Sequence, residues 1–319
     1  MATHDRPRTR RLLVPAAVIV ATGLSVFVFR TARDRTDHPR TTRPDSAAYR
    51  SEWEAWKVKR LTILLTPGRS LSYTALAWLR PGRNTIGAST ANDVRLAGTG
   101  VPATIGTLIR TGDTVRFEPA PGAAVTIDSQ PATPAVLRTD ADSPATVIRA
   151  GSAAFRIAKR IDSIGVRAWD AEHPALKAFA GFQFFPLDQQ WRIGGRFVPL
   201  PVPRKFAAAT ESGVAEEYTQ LGSVNATIGG VPYAFAAYDG GKKELFFTFA
   251  DASSGEESYG FRFLRANLDS VTKHVVLDFN FAYNPECAMS RFTTCPLPPP
   301  ENRIRTKVLA GERPPAVLH

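Results

Sequence analysis

The chain has 319 residues, 44% of them hydrophobic, with 25 prolines, 23 glycines and a net charge of +11. That apolar fraction excludes a disordered chain, and frequent Pro and Gly suit short strands and turns better than long helices, so a mainly β protein of more than one domain is expected. The charge does not mark a nucleic-acid binder: residues 1–60 hold 13 Lys/Arg against 6 Asp/Glu, leaving 27 against 23 for the remainder, so the excess is N-terminal and no nucleic acid is expected as a partner.

Residues 1–11 are a basic N-terminus carrying Arg6, Arg8, Arg10 and Arg11. Residues 12–29 contain no charge, and as a helix at ~1.5 Å per residue they just span a hydrocarbon core. No small-residue cleavage site follows at Phe29, Arg30 and Thr31, so this run is expected to be an uncleaved transmembrane signal anchor. The protein is thereby placed at the cell membrane as a single-pass chain with its C-terminal domains extracytoplasmic. Residues 30–45, rich in Arg, Thr, Asp and Pro, form a linker.

A first domain is expected over 46–160. It opens on a helix at 46–60, where Tyr49, Trp53, Trp56 and Arg60 recur at helical spacing and should pack on that same domain. Runs at 73–79, 84–86, 105–110, 114–118, 123–127, 145–149 and 153–158, punctuated by Gly and Pro, predict a β-sandwich. Within it WLRPGRNTIG at 78–87, followed by Asn92 and Asp93, resembles the opening of a forkhead-associated domain, the phosphothreonine-reading sandwich. Ala88 stands where that family has an arginine, and no His follows the Asn-Asp loop, so the resemblance implies the fold and not phosphopeptide binding.

A second β-rich domain is expected over 161–319. Strands are read at 164–169, 191–197, 205–210, 231–238, 245–250 and 258–264, with a short helix at 175–179. The runs 216–221 and 223–228 are expected to pair as a hairpin around Gly222. Farther on, 275–277 reads as a strand that delivers Asp278 and Asn280 to one face, and a proline-rich loop follows. Cys287 and Cys295 in an exported chain read as a disulfide. Metal is the rival, weakened because two cysteines make half a zinc site at an unsuitable spacing.

Between residues 53 and 312 the blocks WLRPGRNTIG, IGVRAWD at 164–170, FAGFQFFPLDQQWRIGGRF at 179–197, LFFTFADASSGEESYGFRFL at 245–264, LDFNFAYNPECAMSRFTTCPLPPPENRI at 277–304 and AGE at 310–312 together resemble the bacterial family called domain of unknown function 1684. The resemblance implies no established activity. Ser253 and Glu286 depart from the Thr and Pro usual in that family.

The candidate polar cluster comprises Asp251, Tyr259, Arg262, Asp278, Asn280, Asn284, Glu301, Asn302 and Glu312. Arg262 beside Asp278 would be an ion pair, which is more often structural than catalytic. Asp278 and Glu301 could divide acid and base roles, and Asp251, Asp278 and Glu301 could collect a hard cation. No serine elbow, phosphate loop or paired-His motif is present, and no cofactor is expected. Two readings follow: a module that binds a small ligand or envelope protein, or a hydrolase using Asp278 and Glu301.

Overall fold

The structure, a computed structural model, describes residues 46–315. The basic N-terminus, the expected anchor at 12–29 and the linker at 30–45 lie outside the described residues. Among those described, no helix is long and apolar enough to cross a membrane.

Helix α1 (Ser46–Leu65) is built from Ala, Glu, Lys, Arg and Leu with no Gly or Pro, and Pro67 and Gly68 stop it. Tyr49, Trp53 and Leu64 form its buried stripe. The stripe does not pack on the sandwich as expected. Trp53 Nε1 donates to the Asn280 carbonyl at 3.1 Å, and Tyr49 donates to Asp278 at 2.8 Å, so α1 belongs to the second sheet. An amphipathic stripe declares that it must be buried and not against what.

The strands β1 (Tyr73–Trp78), β2 (Gly82–Gly87), β3 (Val94–Arg95), β4 (Gly106–Thr111), β5 (Thr114–Pro119), β6 (Thr126–Ile127), β7 (Gln130–Pro131), β8 (Ala135–Leu137), β9 (Ile148–Ala150), β10 (Ala153–Lys159) and β11 (Ile164–Asp170) form two sheets. Their orders are β1-β11-β10-β9-β6-β7 and β3-β2-β4-β5-β8. Ile86, Leu108 and Phe117 of one sheet meet Phe155, Ile157 and Val166 of the other in a single core, which makes the unit a β-sandwich. It extends past residue 160, because β11 lies between β1 and β10.

A short helix α2 (Ala175–Ala178) leads to the second sheet: β12 (Arg192–Ala208), β13 (Glu216–Ile228), β14 (Val231–Asp239), β15 (Glu244–Phe249), β16 (Arg262–Asn267) and β17 (His274–Asp278). All neighbours are antiparallel in the order β16-β15-β14-β13-β12-β17, and Leu268 bridges Val275, so the two end strands meet and the sheet is nearly closed. Phe235, Phe247, Phe249, Leu264 and Leu277 fill its interior. The C-terminal tail stops one end with Ile304, Val308 and Ala310, which join the same core.

Three expectations fail here for identifiable reasons. Gly222 is no hairpin turn: β13 runs straight through it, opposite Pro199 of β12. The glycine is there for closeness, since a Cβ would sit 2.3 Å from the Val198 carbonyl oxygen and 2.8 Å from the Phe197 ring. Residues 258–261 are not strand; β16 begins at Arg262. Asn280 does not continue β17 either, because residues 279–281 form a 3₁₀ turn capped by the Asp278 side chain.

Sandwich and second sheet are tied at Arg160. Its Nη1 reaches Asp140 at 3.1 Å, and its Nε reaches Glu216 at 3.2 Å and the Thr294 hydroxyl at 3.0 Å.

Candidate functional site

Six of the nine polar residues singled out from the sequence fall into three separate knots, two in each. In the first, Arg262 projects inward at the stopped end of the second sheet, fully buried. It pairs with Asp251 at 2.6 Å instead of Asp278, and it donates to the carbonyls of Val308, at 2.8 Å, and Ala310. The other Asp251 oxygen accepts from the Ser253 amide at 2.8 Å, the Ser253 hydroxyl at 2.6 Å and the Val308 amide at 3.1 Å. Desolvation pulls the Arg262 pKa down while Asp251 opposes it. The carboxylate is saturated by four donors, so this knot ties the tail to the sheet and leaves nothing to offer a substrate.

The second knot joins α1 to the tail. Glu312 is buried and accepts from Arg60 Nε at 2.9 Å and from the Asn284 amide at 2.7 Å. The Asn284 side chain donates to the Arg313 carbonyl at 2.7 Å. Gly311 holds this crossing at φ +78, where a Cβ would lie 2.3 Å from the Ala282 carbonyl oxygen. Burial pushes the Glu312 pKa up, with Arg60 and the Asn284 amide opposing.

In the third knot the carboxylate itself reaches open space. Asp278 accepts from the Tyr49 hydroxyl and from Asn280 Nδ2 at 3.1 Å, and Arg192 Nε stands 3.5 Å away. Desolvation raises the Asp278 pKa in spite of these donors. Asn280 is buried and also exchanges hydrogen bonds with the Asp188 backbone, at 3.0 and 2.8 Å.

Three further candidates lie elsewhere. Asn302 is buried and staples strands, accepting from the Ala236 amide at 2.7 Å and donating to the carbonyls of Ala236 and Thr248, both at 3.0 Å. Glu301 beside it is exposed and shares no hydrogen bond with Asp278. Tyr259 donates to Glu211 at 3.2 Å. Among the described residues no three His, Cys, Asp or Glu side chains gather as a metal site, so the hard-cation arrangement of Asp251, Asp278 and Glu301 does not form.

Cys287 and Cys295 are buried free thiols set side by side, the Cys287 amide donating to Cys295 Sγ at 3.2 Å. The hydrogen bond to Cys295 and burial push the Cys287 thiol pKa up. Native protein in a reducing buffer should therefore resist alkylation at neutral pH. Mild oxidation should join the two, a loss of two hydrogens by mass, and a loop this short gains about 2.5 kcal/mol of stability by chain entropy. Rapid labelling of the native thiols, or an oxidised form that melts lower, would contradict this geometry.

Beside the third knot a cleft of about 1070 Å³ opens between α1 and the outer face of β12, β16 and β17. Tyr49, Trp56, Lys59 and Arg60 form its helical wall, Val276 and Arg265 its floor, and Phe281 and Tyr283 close one side. Arg265 is committed to Glu244 at 3.2 Å and to the Gly240 carbonyl at 2.8 Å. His274 also lines the cleft, and its Nε2 is buried without a partner. Only Asp278 of the nine expected residues lines this space; Trp56, Lys59, Arg192, Arg265 and His274 were missed as site residues. Trp56 was visible as part of the helical stripe, but nothing local connected it with strands 200 residues later.

Residues 177–313 match the family described as "Protein of unknown function (DUF1684)". The match covers the second sheet and the tail; the resemblance expected from residue 53 onward is supported over that part. No curated protein matches the chain. A solution NMR structure of an uncharacterized protein of Haloarcula marismortui is 28% identical, covering 43% of this chain and 78% of that one, with a TM-score of 0.37.

Proposed function

We propose that the protein is a binding module whose ligand site is the cleft between α1 and the second sheet, and that residues 12–29 hold it at the membrane with the described residues outside the cytoplasm. The cleft carries the reading, because apolar and aromatic groups (Trp56, Val276, Phe281) converge there with a carboxyl of raised pKa, Asp278, and an unpartnered ring nitrogen, His274 Nε2. A small molecule with a flat apolar body and a polar end able to donate to Asp278 and accept from Lys59 fits this lining. A hydrolase using Asp278 and Glu301 is the weaker reading, since Glu301 is exposed and does not line the cleft.

The two-sheet form of the first unit supports a likeness of fold to forkhead-associated domains. It does not support phosphate reading: Arg80 is spent on Asp93, and Asn92 braces the carbonyls of Ser89 and Ala103.

Native mass spectrometry of the full chain, extracted gently from membranes, should show a bound small molecule. Val276→Trp, which fills the cleft floor, should release it. An adduct that survives this change, or none in either protein, removes the reading. A reporter placed behind residue 29 that works only in the cytosol would remove the location.

A further inference from the structure

We propose that the end of the second sheet opposite the tail is a docking surface for an anionic lipid bilayer. This goes beyond the cleft reading and does not depend on it. Three segments meet at that end. β12 bulges out between the Pro199–Gly222 and Arg204–Gln220 pairs. The Phe197 amide donates to the Lys273 carbonyl at 2.8 Å, which sets the bulge beside the turn 269–273. The Leu268 amide donates to the Lys243 carbonyl at 3.0 Å, which adds the turn 240–243.

The tips of two of them, the bulge and the turn 269–273, are aliphatic. Val271 is 87% exposed, Val202 75% and Val198 43%, three of the most open large apolar side chains among the described residues. Scattered exposed valines need no explanation, but these are brought together by the topology. Pro199, Pro201 and Pro203 stiffen the bulge and remove backbone donors, so it cannot serve as an edge for a second copy to extend the sheet.

The rim is cationic. Arg196, Lys242, Lys243 and Lys273 have no carboxylate partner among the described residues, whereas nearby Asp239 and Asp269 are turned onto the amides of Gly241 and Val271 in their own turns. Lys242, Lys243 and Lys273 also sit at φ +45, +69 and +59, three of the five non-glycine residues with positive φ among the described residues. Asn, Asp or Gly would hold such turns at lower cost, so lysine is kept there against its conformational preference. Apolar tips ringed by unpaired cations match the layered chemistry of an anionic bilayer, acyl boundary below and phosphate above. Asp269 and His274 of the same hairpin line the cleft, so docking would turn its mouth toward the lipid.

Hydrogen exchange of the full chain with vesicles tests this. Phosphatidylglycerol-containing vesicles should slow exchange at 198–205, 240–243 and 269–273 by about tenfold, an effect that rising salt removes and pure phosphatidylcholine does not produce. Lys242→Glu with Lys273→Glu, the first exposed and the second half-buried, should abolish the slowing. The proposal fails if these segments exchange equally in both lipids, or if they slow without lipid as protein concentration rises, which would mean a second copy. Slowing confined to residues 12–29 would leave the anchor standing and remove this surface.

Discussion

Arg262→Met should lower the free energy of unfolding by about 3–5 kcal/mol, enough to leave little folded protein at physiological temperature. The guanidinium has no exposed surface and bridges Asp251 to two carbonyls of the tail. Its removal leaves a buried carboxylate without a counter-charge and two buried acceptors unpaired. Arg262→Lys should recover little, because one ammonium cannot reproduce a planar fork that reaches three acceptors. Pairing Arg262→Met with Asp251→Asn should cost less than the sum of the single changes, since the orphaned charge is gone. Urea unfolding of the four proteins decides the matter. A loss below about 1 kcal/mol for Arg262→Met would mean that the Arg262 knot contributes little to holding the tail.

Glu312→Ala should cost nearly as much, about 3 kcal/mol, by stranding Arg60 and the Asn284 amide. Glu312→Gln separates shape from charge and gives the prediction a pH axis. Burial raises the Glu312 pKa in the folded state, so between the ordinary glutamate value and that raised value the native protein binds more protons than the unfolded chain. Stability contributed by the neutral form is present below the ordinary value and falls as pH rises through the raised one. Glu312→Gln should flatten that fall, and unfolding curves across the acidic to neutral range read it directly. An unchanged pH slope in the variant would show that Arg60 keeps the carboxylate ionised throughout.

Much of the fold could be read locally. Strands β1, β5, β10, β11 and β15 stand within a residue or two of their expected limits, because alternating apolar positions and Gly or Pro boundaries act over short range. Failures occurred where a distant partner decides. Gly222 has the look of a turn, yet it is required by the approach of β12. Arg262 pairs with Asp251 from the preceding turn, and the strand neighbour Asp278 is taken by Tyr49, more than 200 residues away in sequence. Asp278 and Asn280 do meet, through capping of a 3₁₀ turn and not through strand alternation. The cleft was illegible for the same reason, since its two walls come from opposite ends of the described chain.

The side-chain hydrogen bonds and the ion pair that hold helix α1 to the second sheet come from far later in the chain, from Asp278, Asn280, Asn284 and Glu312, while Phe184 packs against Trp53 and Trp56. While the ribosome is still at work, Trp53 can meet Phe184, but Tyr49 must wait through about 230 residues of growing chain for Asp278, a slow closure by the rules of contact order. A nascent protein of this kind needs shelter or a passage that keeps it extended until those later partners emerge. Truncation before Asp278 would strip helix α1 of all four of these later partners.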